Sequence, residues 1–296
     1  MFHGTITALV TPFRNGHIDE DAFCAHLDRQ IDAGVSAVVP AGTTGEAATL
    51  SHDEHKKLIE VAVRHVAGRV PVIAGTGSNN TAESIELTQS AKSLGADAAL
   101  LISPYYNKPT QEGIYQHYKA VADAVHLPQI VYNVPGRTNS NILPETVGRL
   151  SKISNIVGIK DATADMDQLN ATIDVCEGRI DFYSGDDATV LPFMALGGVA
   201  VISVVANVAP QAMIRLTRAA TAADWDEART AQMAMRELNR VMFVQSNPIP
   251  VKAACAMLGW MQGDIRLPLT LLPDELCEQL HAALTEFGLK PERTHP

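Results

Sequence analysis

The stretch Asn155-Ile156-Val157-Gly158-Ile159-Lys160-Asp161 decides how this chain is read. Three β-branched residues around one glycine run straight into a lysine and then an aspartate. Such a run suits a short parallel strand buried on both faces, with its C-terminal end opening into a loop. A lysine at that end keeps its stem in an apolar layer and its amine at the mouth of a site. Burial disfavours the ammonium form, so free amine should exist near neutrality, as imine formation with a carbonyl compound requires. The competing reading is a lysine that snorkels to solvent at a strand end.

Working outward, similar β-branched runs recur at 5–10, 36–40, 70–75, 98–103, 129–133, 155–160, 180–184 and 199–204. Helix-patterned stretches separate them, the texture of alternating βα units. Ser51 with Glu54 matches a capping box, and Leu58, Val61, Ala62 and Val66 follow at helical spacing. Asn80 or Thr81 suits the cap of a helix carrying Ile85, Leu87 and Leu94. Eight such units close a parallel sheet into a (β/α)8 TIM barrel more naturally than they form an open doubly wound sheet, which is the alternative. After residue 223 the pattern is helical with no strand. Trp225, Ala228, Ala231, Met235, Leu238 and Met242 step by three or four residues, Asn247-Pro248-Ile249-Pro250 interrupts, and 251–258 and 274–287 read as helix again. The expected architecture is α/β: a barrel over 1–223 that carries the active site, and a C-terminal helical domain, 224–296, packed on it.

The 296 residues are 46% hydrophobic and 19% charged, enough for a large core. The net charge of −10 comes without any lysine- or arginine-rich run, which argues against nucleic acid and membrane surfaces as partners. No apolar run approaches the ~20 residues of a bilayer-spanning helix. Met1-Phe2-His3-Gly4-Thr5 lacks the basic and apolar regions of a signal peptide. Cys24, Cys176, Cys255 and Cys277 stand far apart and form no CxxC pair, so they read as reduced core thiols. The expected location is the cytoplasm.

Barrel enzymes place catalytic groups at the C-terminal ends of strands and in the loops that follow. Gly42-Thr43-Thr44-Gly45-Glu46 follows the second run. Its amides and hydroxyls suit a small carboxylate, against the plain alternative of a glycine-rich turn. Ser103-Pro104-Tyr105-Tyr106-Asn107 follows the fourth, and the fifth ends in Tyr132-Asn133-Val134-Pro135-Gly136-Arg137. Tyr132 would sit one strand from Lys160 on the same rim, where a phenol can pass protons during imine and C–C bond formation. Arg137 offers a two-pronged donor for a substrate carboxylate; a solvated loop arginine is its alternative. Gly185-Asp186-Asp187 reads as a cap for the next helix sooner than as a metal-binding pair. Gly75-Thr76-Gly77 lacks the third glycine and acidic partner of a dinucleotide fingerprint. Lys252, the other imine candidate, follows two prolines in the helical tail, away from any barrel strand.

Together these segments resemble the dihydrodipicolinate synthase / N-acetylneuraminate lyase family of class I, pyruvate-handling aldolases, over essentially the whole chain. The resemblance rests on GTTGE at 42–46, SPYYNKPTQEG at 103–113, LPQIVYNVPGRT at 127–138, LPETVGRL at 143–150, IKDAT at 159–163, SGDD at 184–187 and NPIPVK at 247–252. It implies that Lys160 forms a Schiff base with pyruvate and that Tyr132 shuttles protons. Thr43 and Tyr106 would complete a hydroxyl relay, with Tyr106 reaching in from a neighbouring subunit. Thr44 and the backbone at Gly185 and Ile202 would hold pyruvate, and Arg137 would bind the carboxylate of L-aspartate-4-semialdehyde. The implied product is 4-hydroxy-tetrahydrodipicolinate, on the way to diaminopimelate and lysine. No cofactor or metal is implied beyond the covalent imine, and the usual assembly is a homotetramer, a pair of tight dimers.

The resemblance also implies feedback inhibition by L-lysine at the tight-dimer interface. His52, His55, Asn79, Glu83 and Tyr105 match the polar residues that hold it, with Ala48 beside them. Ala47 stands where some regulated members carry a small hydroxyl residue. Two alternatives remain open. A related aldolase would act on sialic acid or a 2-keto-3-deoxy sugar acid, whose polyol prefers neutral polar groups to Arg137. A non-catalytic pyruvate or amino-acid sensor would have no use for both Lys160 and Tyr132.

Overall fold

All eight β-branched runs form parallel strands in the computed structural model, which describes residues 1–295. They are β1 (Gly4–Ala8), β2 (Ala37–Val39), β3 (Ile73–Gly75), β4 (Ala98–Ile102), β5 (Gln129–Asn133), β6 (Ile156–Asp161), β7 (Asp181–Ser184) and β8 (Ala200–Ser203). β8 returns to pair with β1, placing Gly4 opposite Ala200 and Thr7 opposite Ser203. The junction between β2 and β3 is bridged by Val38 with Val72 and by the Gly75 amide, which donates to the Pro40 carbonyl at 3.0 Å. The sheet therefore closes into a barrel and is not the open doubly wound alternative.

β1 and β8 end earlier than their β-branched runs, for a specific reason. The amide of Val10 donates to Asn207 Oδ1 at 3.1 Å and that of Val204 to Asp187 Oδ2 at 2.9 Å. Side chains at the barrel mouth have taken these donors out of the ladder, so the apolar run continues where the strand does not. β6 runs one residue further than expected, to Asp161.

Between the strands, the helices start where their caps predict. Ser51 Oγ accepts from the Glu54 amide while Glu54 accepts from the Ser51 amide, a complete capping box for the helix His52–Val66. Asn80, rather than Thr81, caps Thr81–Leu94 through the Ala82 amide. The barrel interior is filled by Ile6, Val39, Ile73, Leu100, Ile130, Tyr132, Tyr183 and Ile202.

Past the helix Pro210–Thr221 the chain is helical: Trp225–Ala234, Arg236–Val241, Ile249–Met257 and Asp274–Glu286. The apolar stripe expected to run through one helix is divided at Met235, with Ala228, Ala231, Met235, Leu238 and Met242 buried and Trp225 40% exposed. A function of the division is visible in two amides. Gln232 Nε2 and Asn239 Nδ2 both donate to the Asp187 carbonyl, at 3.1 and 3.2 Å. In a continuous helix residues seven apart are separated by about 10.5 Å along the axis; the turn brings both to one oxygen. No helix among the described residues is long and apolar enough to cross a membrane.

A second tether is ionic. Lys252 Nζ pairs with Glu46, and both side chains are fully enclosed, at 1% and 0% exposure. Glu46 also accepts the Arg266 amide at 3.1 Å, and the Arg266 guanidinium binds Glu54 and the carbonyls of Thr49 and Gly16. Both cations lie over the Phe13 ring, at 4.3 and 4.2 Å. Removing one partner of a buried pair strands the other charge, at a cost of about 3–5 kcal/mol, whereas removing both is far milder. Lys252→Met should therefore unfold at markedly lower denaturant than Glu46→Gln/Lys252→Met. Equal midpoints would show that the pair is not electrostatically isolated.

Candidate active site

β5 and β6 place the two central groups by register. Tyr132 is the direct neighbour of Lys160 across that ladder, and Lys160 faces Tyr183 across the next. Lys160 Nζ sits 4.2 Å from the centre of the Tyr132 ring. The amine does not snorkel: Lys160 is only 6% exposed. Burial pulls its ammonium pKa down to about 8; the Asp187 carboxylate opposes that shift and the Arg137 guanidinium adds to it. At pH 7 roughly a tenth of such amines are neutral, against fewer than about one in a thousand for an ordinary lysine.

Tyr132 is buried too, and burial pushes its phenol up to about 12, with Arg137 and the Thr43 hydroxyl acting the other way. The phenol thus rests protonated beside a partly neutral amine. That pairing suits a donor that gives a proton to a developing alkoxide and takes it back.

The other rim groups surround this pair. Thr44 is buried, and its Oγ1 accepts from Asn247 Nδ2 at 3.0 Å. Arg137, in the short helix Pro135–Thr138 after β5, donates through Nη2 to the Asn247 carbonyl at 3.0 Å. Gly185 packs against the stem of the lysine. A Cβ there would lie 2.7 Å from Ala162 Cβ and 3.0 Å from Lys160 Cε, so only glycine fits. Its amide donates to the Asp161 carbonyl at 2.6 Å. The Ile202 side chain is buried in the barrel interior, in the same cluster as Tyr132.

Tyr106 stands apart from this group. It is 89% exposed, has a left-handed backbone (φ 72°), and forms no hydrogen bond with Tyr132 or Thr43 of its own chain. Tyr105 belongs to a polar cluster. Its carbonyl accepts from Asn79 Nδ2 at 3.1 Å, and Asn107 Nδ2 donates to the Asn79 carbonyl at 3.0 Å. Glu83 lies between His52 Nε2, at 2.7 Å, and the Ser78 hydroxyl, at 2.5 Å, and these bonds hold its carboxyl below the usual range. His55 is turned the other way, donating to the Gly75 carbonyl at 2.6 Å, and burial lowers its pKa. Ala47 and Ala48 occupy the short turn Ala47–Thr49 that leads into the His52 helix.

Two expectations need correction. Asp187 does not cap the helix that follows it: its carboxylate accepts from Ser203 Oγ (2.5 Å) and the amides of Val204 and Val205, fastening the loop after β8, while Asp186 takes the Thr189 hydroxyl. The helix after it, Val190–Ala195, is led by a 3-10 turn and starts without a side-chain cap. Lys252 is not remote from the barrel, since it reaches the loop after β2. The glycines of Gly75-Thr76-Gly77 serve packing, because a Cβ would meet the Ala41 carbonyl oxygen or the Ile102 amide at 2.2 Å. Asn247 was missed altogether; the only signal was its place in the NPIPVK segment.

The packing of Gly185 has a measurable consequence. Gly185→Ala should displace the Lys160 stem and slow borohydride-trapped tagging of Lys160 by a small ketoacid about 10²-fold. An unchanged rate would contradict the tight contact.

Comparison with known proteins identifies the family and agrees with the fold. The model of the dihydrodipicolinate synthetase family matches residues 1–287. A 4-hydroxy-tetrahydrodipicolinate synthase of Geotalea uraniireducens (strain Rf4) is 52% identical over 98% of this chain and 100% of its own. The chloride-inhibited dihydrodipicolinate synthase of Acinetobacter baumannii, solved with pyruvate, superposes with a TM-score of 0.96 at 48% identity, covering 98% of this chain and 100% of that one. The enzyme of Cyanidioschyzon merolae, solved with lysine bound, gives 0.95 at 39% identity, over 98% and 99% of the two chains. The chain belongs to the dihydrodipicolinate synthetase family.

Proposed function

We propose that the chain condenses pyruvate with L-aspartate-4-semialdehyde to give 4-hydroxy-tetrahydrodipicolinate, in diaminopimelate and lysine synthesis. The observation that carries this reading is the buried, partly neutral Lys160 amine one strand from a protonated Tyr132 phenol. The amine attacks the ketone carbon of pyruvate and water leaves, giving the imine. Loss of a methyl proton makes the enamine, whose carbon attacks the aldehyde. Tyr132 protonates the resulting alkoxide, and the substrate's own amino group then attacks the imine carbon and expels Lys160. Thr43 completes the proton path, Thr44 receives the pyruvate carboxylate, and the backbone at Gly185 and Ile202 holds the body of the ketoacid.

Arg137 favours this substrate over a sugar acid. Its guanidinium stands at the rim as a two-pronged donor, which suits a second carboxylate and gives a polyol nothing specific. The exposed, left-handed Tyr106 supports a relay completed by a neighbouring subunit in a dimer of dimers. The polar cluster supports regulation by L-lysine: the ionised Glu83 suits an ammonium, and Asn79 and Tyr105 suit the amino-acid end. His52, His55, Ala47 and Ala48 would form its walls. The lysine-bound relative from Cyanidioschyzon merolae supports the same reading.

Lys160→Ala should remove the covalent intermediate and nearly all turnover. Tyr132→Phe should keep imine formation but slow condensation by roughly 10²–10⁴-fold, and wild-type rates in a steady-state assay would displace Tyr132 from its role. Pyruvate should condense far faster with aspartate semialdehyde than with N-acetylmannosamine; the reverse order would favour the sugar-acid reading. Titration calorimetry should register L-lysine binding with a fall in rate, and neither heat nor inhibition would reject the regulatory site.

A further inference from the structure

Asn247 has no part in the chemistry above, yet it touches the two groups assigned to substrate carboxylates. It lies between the helices Arg236–Val241 and Ile249–Met257 and is buried. Its side-chain Nδ2 donates to Thr44 Oγ1 and its carbonyl accepts from Arg137 Nη2, each at 3.0 Å. Its Oδ1 is enclosed and has no partner among the described residues. One residue from outside the barrel strands thus joins the loop after β2 to the loop after β5.

The chemistry of a hydroxyl makes the first contact directional. Threonine has one proton to give and two lone pairs to offer. An amide N–H directed at Thr44 Oγ1 occupies a lone pair, and Thr44 makes no other side-chain hydrogen bond among the described residues. Its proton is then left for an incoming anion. Were the amide reversed, Oδ1 would take that proton and Thr44 would present only lone pairs to a carboxylate.

We infer that Asn247 is a positioning residue for pyruvate: its side-chain N–H forces the Thr44 proton toward the ketoacid carboxylate, while its carbonyl holds Arg137 for the second substrate. This rests on the pyruvate reading given above. It goes beyond it in making ketoacid affinity depend on a residue of the helical extension.

The two contacts separate by mutation. Asn247→Asp keeps the shape but offers only acceptors, so it captures the Thr44 proton and sets a negative charge near the carboxylate. Asn247→Ala removes the directing N–H without adding charge. Both keep the backbone carbonyl that holds Arg137. A charge-assisted hydrogen bond lost to a carboxylate corresponds to roughly a 10- to 100-fold weaker half-saturation.

The test is the fraction of full-length protein trapped by borohydride at Lys160 as pyruvate is raised, with no aldehyde present. Half-saturating pyruvate should rise at least about tenfold in Asn247→Ala and further in Asn247→Asp, with the trapped fraction at saturation unchanged. A structural role would instead lower the saturating fraction. Thr44→Val in the native Asn247 background removes the same proton and should reproduce the rise, and adding Asn247→Ala to it should change little more. Saturable trapping in the wild type with unmoved half-saturation in Asn247→Asp overturns this inference and leaves the pyruvate reading intact, whereas unmoved half-saturation in Thr44→Val overturns it together with the assignment of Thr44 to the pyruvate carboxylate. No trapping at Lys160 in the wild type overturns both.

Discussion

The desolvation of one amine is the constraint on which the site depends. Lys160 lies at the end of a strand buried on both faces, and removing its ammonium from water lowers its pKa to about 8. The environment is balanced rather than simply apolar. Asp187 pulls the pKa up and Arg137 pushes it down, both against a larger effect of burial. Stability follows with a definite sign. Between pH 8 and 10.5 the unfolded chain holds this proton and the native chain does not. Its burial therefore costs on the order of 3 kcal/mol below that window, a cost relieved as pH rises through it. The barrel tolerates this at the position proposed to form the imine.

The groups that hold the site come from outside the barrel as much as from within it. The helical extension grips three rim loops by three kinds of bond. Gln232 and Asn239 hold the Asp187 carbonyl after β7, Lys252 holds Glu46 after β2, and Asn247 holds Thr44 and Arg137. Asp187 in turn fixes Ser203, Val204 and Val205 after β8. Loops between barrel strands and helices are otherwise the freest part of such a fold. Here they are bound into a ring around the amine, and the apolar core of the extension is continuous with that of the last barrel units.

The barrel was legible in the sequence because each strand and helix is encoded locally. The β-branched runs, the Ser51 capping box and the Asn80 cap each act within a few residues of themselves. Lys160 and Tyr132 were legible for the same reason, since strand ends define the rim and consecutive strands are neighbours. What local pattern did not reveal are contacts set by long-range folding. Lys252 looked remote because its partner Glu46 is 206 positions away in the chain. Asp187 looked like a helix cap because nothing near it in sequence announces Val204. The division of the last apolar stripe at Met235 left the periodicity unbroken, and Asn247 carries no chemical mark of its own.

The most direct test of the account is the protonation of the Lys160 amine itself. Competitive labelling with trace acetic anhydride between about pH 6 and 11, followed by peptide mass analysis, reads the neutral fraction of each lysine separately. The account predicts that labelling of Lys160 rises with a midpoint near about 8. A midpoint near the ~10.4 of a free lysine would show that burial does not prepare this amine, and would contradict the account at its root.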